Sequence, residues 1–103
     1  VPETYKVLAR GQVTGATTAV YNPAAATQAI VKQISFAASG GASSFAVTVG
    51  AATPRAFIPA TPLAAGEWAE WEGSLALTTG DALNLTVPAA MAIDYVVSGV
   101  EIT

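Results

Sequence analysis

The side chains best equipped for chemistry in this sequence are six carboxylates, Glu67, Glu70, Glu72, Asp81, Asp94 and Glu101, in a chain with no histidine and no cysteine. Without histidine the commonest general base, the Ser-His and Cys-His dyads and the most frequent transition-metal ligand all disappear together. Paired carboxylates alone can still hydrolyse a glycoside, provided their surroundings drive the two pKa values apart. Nothing in the spacing singles out such a pair, so these acids read as solvated strand and turn residues, and no catalytic residue is expected.

A calcium site would draw on the same acids, since a hard cation wants several oxygen ligands gathered by one loop. Gly80-Asp81 offers a single carboxylate and the Asp-x-Asp-x-Asp-Gly order is missing, so no metal ligand is assigned. Gly40-Gly41 has no following lysine to make it a phosphate loop, and it reads as a turn. Asn84-Leu85-Thr86 matches the N-glycosylation acceptor pattern, but it also fits a strand whose outer face carries Asn and Thr beside an inward Leu85. Gly11 and Gly15 have the spacing of a helix-association motif with no membrane helix around them. No cofactor is expected.

The segment Glu67-Trp68-Ala69-Glu70-Trp71-Glu72 is more informative. Two tryptophans three apart in a strand point to opposite faces, so one is core and one is not. Trp71 shares parity with Ala69, Leu75 and Leu77 and is assigned to the core, while Trp68 shares parity with Glu70 and Glu72 and is assigned to the surface. An exposed tryptophan between acids serves as an interface anchor, as a platform for a sugar ring, or lies under a loop.

Composition narrows the frame in which these residues work. Charged residues make up 11% of the 103 and hydrophobic ones 52%, with mean hydropathy +0.51. An ordinary soluble domain carries about a quarter charged residues, so this surface is expected to be covered in part by neighbours. The net charge of −3, with only Lys6, Arg10, Lys32 and Arg55 as cations, argues against a nucleic-acid partner. The charge-free stretch between Lys32 and Arg55 is broken by Ser39, Gly40, Gly41, Ser43 and Ser44, so no membrane partner is expected. The N-terminal residues lack the positive start and apolar run of a signal peptide, which leaves targeting open. Residues 1–103 are read as one domain.

The elements are strands. Segments with strand character fall at 5–11, 17–21, 28–37, 44–49, 55–58, 67–72, 74–77, 82–87 and 92–102, separated by Gly, Pro, Asn, Asp, Ser and Thr. This spacing predicts an all-β fold, an antiparallel β-sandwich, jelly-roll-like, of about eight short strands. The alanine clusters at 24–26 and 89–92 stand beside Pro23 and Pro88 and read as loops. Parity assigns Phe45, Val47, Val49, Leu83, Leu85 and Val87 to the core, and puts Ile30, Ile34 and Phe36 on one face with Val31 on the other. The last segment is apolar on both faces, which predicts a central strand or one covered by a partner. Little disorder is expected beyond residues 1–4.

Three pieces, Leu63-Ala64-Ala65-Gly66-Glu67, Gly73-Ser74-Leu75-Ala76-Leu77 and Gly80-Asp81-Ala82-Leu83, together with Ala29-Ile30-Val31-Lys32-Gln33-Ile34 upstream, resemble the small β-sandwich virion proteins of tailed bacteriophages, head decoration and tail-associated subunits. The cadence has its own physical sense: Gly66 and Gly80 accept positive φ at tight turns, and Asp81 can bond its neighbouring backbone. The resemblance implies a non-enzymatic structural or accessory subunit located in the virion, packed on major capsid or tail proteins and assembled as a homo-oligomer. It carries over no site residue. From exposure and pattern, the expected interface residues are Trp68, Phe57, Ile58, Val100 and Ile102. The alternative expectation is a carbohydrate-binding module for host-surface glycans, with Trp68 as the stacking surface.

Overall fold

The computed structural model describes residues 3–38, 41–50 and 55–102. Eight strands follow in order: β1 (Glu3–Thr14), β2 (Thr17–Tyr21), β3 (Gln28–Ala37), β4 (Ser43–Val49), β5 (Arg55–Leu63), β6 (Trp68–Leu77), β7 (Leu83–Thr86) and β8 (Ala92–Ile102). They form two four-stranded antiparallel sheets, β1-β8-β3-β6 and β2-β7-β4-β5, facing each other as a β-sandwich. The pairings nest: β1 with β8, β2 with β7, β3 with β6 and β4 with β5. The chain is thus one long hairpin rolled up on itself, closed into sheets by the β3–β8 and β4–β7 contacts. That is the jelly-roll arrangement of eight strands.

Alternation explains most of the core. Phe45, Val47, Leu83, Leu85 and Val87 are buried as parity requires, and Val49 is half-buried at the strand end. Phe36 of one sheet stacks on Phe45 of the other, ring centroids 4.1 Å apart and 15° between planes. Burial of both rings ties the sheets together. The doubly apolar last segment is β8, which is central, between β1 and β3.

One parity assignment is corrected. Val31, expected opposite Ile34 and Phe36, is buried with them, while Ile30 is only half-buried. The cause is a bulge at Lys32: Val31 pairs with Gly99 but Gln33 pairs with Ser98, so β3 carries one extra residue there. An extra residue flips every later side chain to the other face. Ala29, Val31, Ile34 and Phe36 therefore all reach the core.

The strand limits also differ in places. The segments 67–72 and 74–77 are one strand, β6, running through Gly73. β5 continues past Pro59 and Pro62 to Leu63, which an edge strand permits because its outward N–H groups need no partner. Val1 and Pro2 lie outside the described residues, and Glu3 and Thr4, expected to be loose, pair with Ile102 and Glu101. Residues 24–26 and 89–91 are turns and loops, as the flanking prolines predict. Gly66 and Gly80 adopt φ of +80° and +97°, the turn conformations anticipated for them. Gly41 of the Gly40-Gly41 pair lies in a bend, and Gly40 is outside the described residues.

Candidate functional site

Four of the carboxylates are tied into turns or cross-strand hydrogen bonds. Glu67 Oε1 accepts the Ala64 amide at 2.6 Å while the Glu67 amide donates to the Ala64 carbonyl at 2.9 Å, closing the turn around Gly66. Asp81 Oδ2 accepts the Thr78 amide and hydroxyl, both at 3.0 Å, and these bonds hold its carboxyl below the usual range. Glu70 accepts Gln33 Nε2 at 2.6 Å, and Asp94 accepts Gln12 Nε2 at 2.9 Å. Among the described residues no three acids gather as a metal site would require. Asn84 is buried, donating to Thr48 Oγ1 at 3.2 Å and to the Gly50 carbonyl at 3.0 Å. It lies on the outer face of its sheet as the pattern predicts, but it is committed to that face's hydrogen bonding.

Glu101 sits in a linked group that spans both sheets. Lys6 Nζ lies 2.6 Å from one oxygen and the Tyr21 hydroxyl donates to the other at 2.7 Å, joining β1 and β8 of one sheet to β2 of the other. Lys6, then Tyr21, holds the carboxyl below its ordinary range, while burial and the adjacent carboxylate push the phenol well up. A depressed carboxylate stabilises the fold above its unfolded value near 4.3 and loses that contribution as pH falls through the folded value. A raised phenol does the reverse: its contribution is complete below about pH 10 and declines as pH rises toward the folded value. Urea midpoints measured from pH 2 to 11 are expected to form a plateau with losses at both ends. Tyr21→Phe should lower the plateau by about 1 kcal/mol and flatten the alkaline loss; an unchanged alkaline limb would remove Tyr21 from that role.

What remains is a surface. Register fixes which side chains share the outer face of the β1-β8-β3-β6 sheet, because directly paired residues point the same way. One row reads Tyr5, Val100, Ile30, Ala76; the next Val7, Ser98, Gln33, Glu72; the next Arg10, Val96, Ser35, Glu70; the last Gln12, Asp94, Ala37, Trp68. Exposed large hydrophobic residues concentrate here: Trp68 (69%), Tyr5 (63%), Val7 (51%) and Val96 (38%), with only Met91 elsewhere among those described. The opposite outer face, on β2-β7-β4-β5, carries Thr17, Ala19, Ser44, Ala46, Thr48 and Thr86. One outer face sets large exposed apolar side chains among polar and charged ones, and the other is small and hydroxylic.

Of the expected interface residues, Trp68, Val100 and Ile102 lie on the first of these faces, Trp68 exposed and the two β8 residues half-buried. Phe57 and Ile58 do not. A register shift lets both turn toward the core from β5, where Phe57 meets Trp71 edge to face at 5.1 Å and Ile58 lines a depression of about 240 Å³ with Trp71, Phe36 and Phe45. Trp71 thus packs at the core margin and Trp68 outside it, as parity predicts. Tyr5, Val7 and Val96 complete the face; only the β1–β8 register, between the two ends of the sequence, assembles them. Beside Trp68 the small side chains of Ser35 and Ala37 floor a cleft of about 220 Å³, walled by Asp94 and Val96.

Eight-stranded jelly rolls are common to viral capsid proteins, lectins and cupins, so the fold defines an architecture and not a single activity. No family model matches this sequence, and no curated protein matches it. Among solved structures, a chain from the structure of infectious bursal disease virus, Gx strain, is similar, with a TM-score of 0.63 at 14% identity over 97% of this chain. The match covers 32% of that chain, so this sequence spans about a third of its neighbour's length. At such identity the likeness is one of fold.

Proposed function

We propose that this chain is a non-enzymatic structural subunit of a virus particle, acting through protein-protein packing. The observation that carries the reading is the concentration of Trp68, Tyr5, Val7 and Val96 on one outer face of a jelly roll. Large exposed apolar side chains gathered on one face of a chain this poor in charge mark a contact surface, and the fold is shared with a chain of a virus structure. The finer assignment, a tailed-phage capsid decoration or tail-associated subunit bound to major capsid or tail proteins, is favoured by the cadence from Leu63 to Leu85. The test is mass spectrometry of gradient-purified particles from cells that carry the coding sequence. Recovery at a fixed ratio to the shell protein is expected; recovery only in the soluble fraction would overturn the proposal.

A second reading, a glycan-binding module, is favoured by the cleft that Trp68 lines together with Asp94 and Ser35. It competes for the same face. A glycan array that stays blank, or binding indifferent to Trp68→Ala, would remove it.

A further inference from the structure

We infer that the outer face of the β1-β8-β3-β6 sheet is built to pack on the same face of a second copy of this chain, about a two-fold axis running parallel to the strands between β8 and β3. The inference takes its biological context from the structural-subunit reading, but its geometry is independent of it. Such an axis lays β1 over β6 of the second copy and β8 over β3, and keeps each row at its own height. Val100 then meets Ile30 of the second copy, and Tyr5 meets its Ala76. Val96 lies over Ser35, Val7 over Glu72, and Trp68 over Gln12. In the third row Arg10 meets Glu70, with Glu72 one row away within reach of a long side chain. Because the contact is isologous, every one of these pairs occurs twice.

Charge decides between this arrangement and its rival. At its edges the face is positive on β1, at Arg10, and negative on β6, at Glu70 and Glu72; between them lie Val96, Val100 and Ile30, with Asp94 on β8 and Lys32 on the β3 bulge, bonded to Ser74, as the inner charges. A two-fold axis across the strands would instead set β6 on β6 and bring Glu70 against Glu72, a like-charge pairing that interfaces avoid. Only the axis along the strands joins opposite edges. Twisted sheets packed face to face cross at about 30°, a rotation small enough to leave Arg10 between the two carboxylates. Four strands at a spacing of about 4.8 Å and about ten residues long present roughly 600 Å² in projection. That is the order of the ~800 Å² per partner of a standard interface.

The test is sedimentation velocity of the full chain over a concentration series up to about 1 mM, for the wild type, Arg10→Glu, Glu70→Arg and the double exchange. All changed residues are exposed, and circular dichroism checks that each variant is folded. The wild type is expected to dimerise, each single exchange to raise the midpoint concentration about tenfold or more, and the double to return to within about threefold of the wild type. A wild type monomeric throughout, single exchanges without effect, or a double that stays dissociated would each overturn the pairing. Particles that contain a chain monomeric in solution would sink this inference and leave the subunit reading standing; a dimer absent from particles would do the opposite.

Discussion

Gly99→Ala is expected to destabilise the fold by about 3 kcal/mol or more, a lowering of the melting temperature by more than ~12 °C. Gly99 is buried in β8 between Lys6 of β1 and Val31 of β3. A methyl group there would collide with the Ile30 carbonyl oxygen and lie 3.0 Å from both the Ile30 carbonyl carbon and the Val31 Cα. These are backbone atoms of a paired strand at the Lys32 bulge, so the clash cannot be relieved by a rotamer change. Relief requires breaking the ladder in the middle of the sheet. Ser98→Ala, one residue away with its side chain on the outer face, should stay within about 0.5 kcal/mol and serves as the control. Urea denaturation of the pair gives the answer, and a loss under about 1 kcal/mol for Gly99→Ala would mean that the bulge can shift.

Phe36→Ala is expected to cost about 3–5 kcal/mol. The ring is 2% exposed and stacks on Phe45 across the sandwich, so its removal takes contacts from both sheets at once. It also borders the cleft beside Trp68 and the depression beside Trp71. Truncation would open a path between them through the core margin. Phe36→Leu should recover more than half of the loss, because most of the buried volume is restored. Thermal and chemical denaturation of the two variants check this; equal losses would make the aromatic stack itself, and not volume, the determining contact.

Local pattern carried much of this architecture. The alternation of Phe45-Val47 and Leu83-Leu85 reads directly as buried faces, and Gly66 and Gly80 read as turns because few other residues accept their φ. The doubly apolar last segment signals the central position of β8. The Lys32 bulge leaves no such mark, since an inserted residue is visible only against a partner strand, and so alternation alone places Val31 on the wrong side. The same limit applies to the surface. Trp68, Val100 and Ile102 stand out singly in the sequence, yet Tyr5 and Val7 join them only through pairing across nearly the whole described chain. Phe57 and Ile58 look like a surface pair between prolines, and the β5 register turns them inward.

The nested pairing has a consequence for the order of folding. Loop closure is least demanding for β4 with β5 and grows outward through β3 with β6 and β2 with β7 to β1 with β8, the longest closure in the molecule. A chain that zips from its middle completes β1 against β8 last. That final pairing brings Tyr5, Val7 and Arg10 alongside Val96 and Val100. The outer face of that sheet is therefore completed only at the end of folding, and until β1 arrives the free edge of β8 stands open to pairing with another chain.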